Sequence, residues 1–115
     1  MRYTRIYSDE QGESHFADVE VQLSHQGKLG SLSEKFPVKS VQFRENPAEY
    51  DWDFHNAPDK QFVILLDGAI EITTSLGEKR TFRSGDILLV EDTTGKGHKT
   101  SNIEKEVRKS LFIQL

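Results

Sequence analysis

The chain is built from short runs of β-forming residues, each of which ends in turn residues. No segment carries apolar residues at the spacing of an amphipathic helix. Tight turns are indicated at 75–77 and 84–86. We therefore predict an all-β fold. The predicted strands lie at 2–7, 15–23, 38–44, 50–55, 61–74, 78–82, 87–90 and 110–115.

Length and composition further limit the domain organisation and the classes of function that the chain can have. With 115 residues, of which 35% are hydrophobic and 30% charged, the chain has room for one compact folded domain, residues 1–115. Lys and Arg number 15 against 19 Asp and Glu, with no basic block, which argues against a nucleic-acid partner. The absence of cysteine excludes disulfides, thiolate metal sites and cysteine chemistry.

The sequence also bears on location. Its N-terminus has no apolar signal region, and no run approaches the ~20 apolar residues of a spanning helix. We expect a cytoplasmic protein with no membrane partner.

Two predicted strands, 62–66 (FVILL) and 87–90 (ILLV), are apolar on both faces. In an antiparallel sheet with one face in water, apolar and polar residues would alternate. A second copy of the sheet would cover the outer face in an isologous homodimer. Alternatively, the N-terminal strands fold over it. Residues 24–37, rich in Gly, Ser and charge, are predicted to form a mobile loop.

The region from Asp51 to Thr100 resembles the two motifs of the cupin family. The first family motif ends in an acidic residue that is followed by six residues and a glycine. Here Gln61, the run FVILLD and Gly68 keep this spacing, with Gln in place of Glu.

The second motif runs from a Gly-Asp turn through a strand to a Pro-x-Gly-x-x-His-x-x-x-Asn tail. Here Gly85-Asp86 begins it, and residues 93–102 (TTGKGHKTSN) complete it with Thr in place of Pro and two extra residues before the tail. The resemblance covers about half of the chain. It implies a cupin double-stranded β-helix, a jelly-roll-like barrel of two antiparallel sheets. The run 91–98 (EDTTGKGH) is also similar to small single-domain bacterial cupin proteins of unassigned reaction.

The resemblance also implies a site. Metal-binding cupins use two histidines and a glutamate from the first motif and a histidine from the second. This chain offers His55, Gln61 and His98 as ligands for a divalent metal such as Zn, Fe, Mn, Ni or Cu. All three side chains are neutral, and an amide oxygen is a poorer donor than a carboxylate. A metal-free cavity is therefore the alternative.

Strand register decides whether His55 can reach the cavity. Alternation places Trp52 and Phe54 on one face and His55 on the other. If the aromatic pair points inwards, His55 points away. A β-bulge before Pro58 would reverse this. The sequence leaves both possibilities open.

Two residues are candidates for acid–base chemistry. His98 follows a glycine-rich turn, and Glu91 lies nearby, where it could replace the missing motif glutamate as ligand or base. Glu91 and Asp92 are adjacent, so only one of them enters the cavity. The alternatives are a structural histidine bonded to loop backbone and a solvated strand end.

Four residues are candidates to line the cavity. Three are aromatic, and they either face a small organic ligand or form plain core. Lys96 either holds an anionic group or is an exposed loop lysine. The candidates are Phe43, Trp52, Phe54 and Lys96.

We therefore expect a homodimeric cupin that binds a small polar or carboxylate-bearing molecule, with or without a metal. If it is an enzyme, the metal-bound form suits an isomerase, lyase or oxygenase. The rivals are a metal-free binding or sensing module, and a structural dimerisation unit whose barrel is packed shut by Trp52 and Phe54.

Overall fold

The computed structural model describes all 115 residues and consists of strands, turns and connecting loops. The all-β prediction is confirmed. No helix is long and apolar enough to cross a membrane. The twelve strands are β1 (Arg2–Ser8), β2 (Ser14–Glu20), β3 (His25–Gly27), β4 (Gly30–Leu32), β5 (Ser40–Asn46), β6 (Asp51–His55), β7 (Gln61–Leu65), β8 (Ala69–Thr74), β9 (Lys79–Arg83), β10 (Ile87–Val90), β11 (His98–Asn102) and β12 (Arg108–Gln114).

Two sheets form the body of the fold. The larger has six strands in the order β2-β1-β10-β7-β12-β5, and the smaller has four in the order β6-β11-β8-β9. Every pairing is antiparallel except that of β1 with β10. The N-terminal strand joins β10 in parallel, a detail that the expectation of two purely antiparallel sheets did not include.

The core lies between the two sheets. Ile6, Leu65 and Leu88 of the larger sheet pack with Ile72 of the smaller one, and each is at most 2% exposed. Burying a side chain of this size contributes about 1.5–3 kcal/mol. The alternation of the strands sends these residues inwards and their neighbours outwards.

The N-terminal strands do not cover the outer face of the larger sheet. β1 and β2 extend the sheet beyond β10 in the same layer, because β1 hydrogen-bonds to the free edge of β10. The alternative in which they fold over that face is therefore wrong. Phe36 covers part of it, with its ring 5.8 Å from that of Phe62.

Residues 24–37 contain structure that the sequence analysis missed. β3 and β4 form a two-stranded hairpin, separate from both sheets, with Lys28 and Leu29 at its tip. Gly30, at φ +97°, takes the left-handed conformation that closes the turn. Strands of three residues without apolar alternation leave no periodic signal in the sequence.

Candidate functional site

A cavity of about 100 Å³ lies between the sheets. A water molecule needs roughly 10–15 Å³ on this measure, so the space suits a molecule of about seven to ten non-hydrogen atoms. Apolar residues form most of the wall. The polar and aromatic residues around the cavity are Arg44, Tyr50, Trp52, His55, Gln61, His98, Thr100, Arg108 and Phe112.

A β-bulge in β6 settles the register that the sequence left open. His55 pairs with His98, and Trp52 pairs with Thr100. The three residue steps from Trp52 to His55 in β6 therefore lie opposite only two residue steps in β11. The extra residue puts Trp52 and His55 on the same face. Their rings stack at 3.7 Å with an interplanar angle of 8°. The bulge lies between these two residues, upstream of Pro58, so the alternative that turns His55 inwards is the one that the structure adopts.

Three residues that were predicted to line the cavity lie outside it. The bulge turns Phe54 away, and it is 48% exposed. Phe43 is 87% exposed because alternation in β5 sends its neighbour Arg44 inwards. Lys96 forms an ion pair with Glu13 in an exposed loop. Trp52 is the one predicted lining residue that does line the cavity.

His98 forms a buried pair with Asp92. Its Nδ1 lies 2.5 Å from the Asp92 Oδ2, and the Asp92 side chain is fully buried. When the imidazole is neutral, its Nδ1–H donates a hydrogen bond to the Asp92 carboxylate, and Nε2 is left as a hydrogen-bond acceptor. Nε2 has no hydrogen-bond partner in the protein, and His98 lines the cavity. The arrangement can accept a hydrogen bond, or a proton, from a bound molecule.

Glu91, the predicted acidic candidate, points away from the cavity. Alternation after the buried Val90 sends Glu91 outwards and Asp92 inwards. Glu91 forms ion pairs with Arg5 at 2.5 Å and Lys60 at 3.2 Å. The acidic residue next to His98 is therefore Asp92.

His55 lies beside His98 in the cavity wall. Their ring centroids are 4.6 Å apart, and the His55 Nδ1 bonds to the Asp53 carbonyl at 2.8 Å. Burial lowers the pKa of His55 below its ordinary value of 6.5. The fold therefore favours a neutral imidazole at this position.

The residues around the cavity do not fit a tightly held divalent metal. Gln61 is 3% exposed, and its Oε1 already accepts a hydrogen bond from the Gln114 Nε2 at 2.8 Å. No cluster of three His, Cys, Asp or Glu side chains is formed. The charged groups that line the cavity are Arg44 and Arg108, which repel a cation.

These two arginines are the site residues that the sequence analysis missed. Arg108 is only 2% exposed, and its Nε donates to the Asn102 Oδ1 at 3.1 Å. Burial, with the charge of Arg44 as a smaller cause, lowers the pKa of Arg108 below the ordinary value of an arginine. The Arg44 guanidinium lies over the rings of Tyr50 and Phe112 at 4.9 and 4.8 Å. The predicted strand began at residue 110, so the inward alternation was not followed back to Arg108.

Unpartnered polar atoms cluster on the β5–β12 wall. Arg108 Nη1, Ser110 Oγ and Asn46 Oδ1 are all buried without a hydrogen-bond partner in the protein. Arg108 pairs with Asn46 across the two strands, and Ser110 is the next inward position. Leaving such a group unsatisfied costs about 1–3 kcal/mol, and of these three residues Arg108 is the one that lines the cavity, where a ligand or water can bond to it.

The chain has the cupin fold. Its structure is similar to the Cnp3 cupin domain of Schizosaccharomyces pombe, with a TM-score of 0.52 and 20% sequence identity over 99% of this chain and 82% of that chain. The sequence matches no family model and no curated protein. At this identity the likeness concerns the fold alone, and it confirms the predicted cupin architecture.

Proposed function

We propose that this cupin-fold chain binds a small carboxylate-bearing molecule in its cavity, without the help of a metal. The observation that carries the proposal is Arg108, a buried guanidinium that lines the cavity and has an unpartnered Nη1. A buried cation without a counter-charge is costly, and a ligand carboxylate would compensate it.

The charge of the cavity supports an anion over a cation. Arg44 and Arg108 line it, and no Asp or Glu does. A guanidinium presents parallel N–H donors that match the two oxygens of a carboxylate. Asp92 is on the far side of His98 and already bonds to it.

The other residues that line the cavity indicate the chemistry of the rest of the ligand. Trp52, Tyr50 and Phe112 offer aromatic surface to an apolar body. The His98 Nε2 offers an acceptor for a hydroxyl or amide hydrogen. The ligand class is therefore a carboxylic acid of up to about ten non-hydrogen atoms that also carries a hydrogen-bond donor.

The cavity is also an argument against a purely structural unit. That alternative requires the barrel to be packed shut by Trp52 and Phe54. Phe54 points outwards, and Trp52 stacks on His55 at the cavity wall.

Calorimetric titration with matched acids and amides tests the proposal. The probes are lactate and 4-hydroxybenzoate, each paired with its uncharged amide. We expect at least one acid to bind with a Kd of about 1 mM or tighter, and its amide to bind at least about tenfold more weakly. Arg108→Gln should weaken the binding of that acid by about 10–100-fold, because a charge-assisted hydrogen bond is lost.

Two controls separate this result from general effects. Arg83→Gln removes an exposed arginine that does not line the cavity, so it should bind the acid as the wild type does. A chelator should leave the affinity unchanged. If neither acid binds, or if Arg108→Gln retains wild-type affinity, the proposal is wrong.

A further inference from the structure

The arginines that are withdrawn from solvent differ in whether the protein supplies them with a counter-charge. Arg5 and Arg80 are half-buried, and each pairs with a carboxylate, at 2.5 Å and 3.0 Å. Arg44 is half-buried and Arg108 is buried, and no carboxylate forms an ion pair with either of them. These two arginines are the ones that line the cavity. The cavity wall therefore carries two positive charges that the protein does not pair.

One carboxylate acts on Arg108 from outside the cavity. The charge of Asp67 raises the pKa of Arg108, but burial and the charge of Arg44 outweigh it and lower that pKa. The Asp67 carboxylate accepts hydrogen bonds from the Lys109 backbone nitrogen at 2.6 Å and from the Lys109 Nζ at 3.4 Å. Asp67 does not line the cavity. It is bonded to Lys109 and leaves both arginines without a partner.

The two guanidinium groups share one aromatic neighbour but have separate anchors. Their Cζ atoms lie 4.9 Å (Arg44) and 5.9 Å (Arg108) from the centre of the Tyr50 ring. Arg108 pairs with Asn46 across the strands, and Arg44 is two residues from Asn46 along β5. Such diagonal positions are about 7–8 Å apart. Two neighbouring, separately anchored guanidinium groups match two carboxylates on one short carbon chain.

The size of the cavity limits the carbon chain between two such carboxylates. Space for about seven to ten non-hydrogen atoms admits a dicarboxylic acid of about four or five carbons. The His98 Nε2 is free to accept a hydrogen bond from a hydroxyl group of the same molecule. A hydroxy dicarboxylic acid would therefore give a partner to both arginines and to the imidazole.

We propose that the ligand carries a second carboxylate, which Arg44 binds while Arg108 holds the first. This assignment rests on the proposed function and narrows its ligand class to short hydroxy dicarboxylic acids. A monocarboxylate pairs with one guanidinium and leaves the other without a counter-charge, whereas a dicarboxylate pairs with both. Arg44 is thus the residue that distinguishes a dicarboxylate from a monocarboxylate.

Calorimetric titration with malate and its C4 monoamide tests the second carboxylate, because the two probes have nearly the same size and differ by one charge. The wild type should bind malate at least about tenfold more tightly than the monoamide. Arg44→Gln should weaken malate binding by about tenfold or more and change monoamide binding by less than about threefold. Arg44→Lys keeps the positive charge and should retain part of the preference for malate.

Two further variants complete the test. Arg108→Gln should weaken the binding of malate and of the monoamide alike, because both carry the first carboxylate. Arg83→Gln, at an exposed position outside the cavity, should leave both affinities at the wild-type values.

The outcomes distinguish the second carboxylate from the proposed function. If the wild type binds the monoamide as tightly as malate, or if Arg44→Gln weakens both equally, Arg44 does not hold a second carboxylate. The proposed function then still stands, provided that Arg108→Gln weakens monoamide binding. If the wild type binds neither probe, both proposals are wrong.

Discussion

The side chain of His55 links the cavity to the stability of the fold. Burial lowers its pKa below 6.5 and outweighs the hydrogen bond to the Asp53 carbonyl, which acts in the opposite direction. The unfolded chain therefore takes up a proton at His55 at a higher pH than the folded chain does. Above pH 6.5 both states are neutral at this residue. As the pH falls from 6.5 towards the lower folded-state pKa, the unfolded state is increasingly favoured.

We therefore predict that His55→Gln reduces the loss of stability in acid. Urea unfolding at about pH 8 and about pH 5.5 gives the difference in unfolding free energy between the two conditions. This difference should be smaller in the variant than in the wild type. His25→Gln, which removes an exposed histidine of the hairpin, is the control and should behave like the wild type. Equal losses in His55→Gln and wild type would contradict the prediction.

For single side chains, the sequence identified which residues lie near the site better than it identified which side chains point into the cavity. The resemblance to the cupin motifs grouped His55, Gln61 and His98, and all three line the cavity. The choice between Glu91 and Asp92 depended on which of two adjacent residues points inwards. The direction of each side chain is fixed by the register in which the strand pairs with its neighbours, and the local sequence does not reveal that register.

At the scale of the strands, the pairing of β6 with β11 depends on one position at which their backbones come very close. Gly97, just before β11, has φ +74°, a conformation that other residues adopt with strain. A Cβ at this position would clash with the backbone carbonyl of His55 and would lie 2.9 Å from the Asn56 nitrogen. Backbone atoms cannot move aside as a flexible side chain can. Gly97 therefore allows the bulged end of β6 to lie beside β11.

We predict that Gly97→Ala destabilises the protein by about 3 kcal/mol or more, because left-handed strain and a backbone clash combine. Chemical denaturation measures the change. Gly77→Ala is the matched control: Gly77 has φ +92° but no atom within 4 Å of an added Cβ. It should cost only the conformational strain, about 1–2 kcal/mol. If the two variants lost similar amounts of unfolding free energy, the backbone contact between Gly97 and His55 would not be tight.

Most strands could be predicted because they alternate apolar and polar residues or are apolar throughout. β10 falls at the predicted residues, and the predicted run 61–74 corresponds to β7 and β8, separated by a turn at Gly68. β11 (His98–Asn102) was read as part of a turn-rich connection. Its residues are polar because one face borders the cavity and its neighbour β6, so the sequence carries no apolar alternation there.

Over the whole chain, the apolar outer face raises the question of whether the monomer is stable by itself. The sequence showed that 62–66 and 87–90 need cover on both faces, but it could not show which part of the chain provides it. In the structure, only 23 of 115 residues are buried, and the outer face stays open at β5. If the homodimer expected from the sequence supplies the missing cover, association and folding are thermodynamically linked.

This linkage predicts that the melting temperature depends on protein concentration. A tenfold increase in concentration stabilises a dimer by about 1.4 kcal/mol, or about 0.7 kcal/mol per chain, which corresponds to a rise in Tm of about 2–4 °C for a chain of this size. Differential scanning fluorimetry over a hundredfold range of concentration measures it. Phe43→Asp places a charge on the exposed outer face of β5, which should prevent association, so this variant should melt at one temperature throughout. A wild-type Tm that is equally constant would mean that the monomer folds stably with its outer face in water.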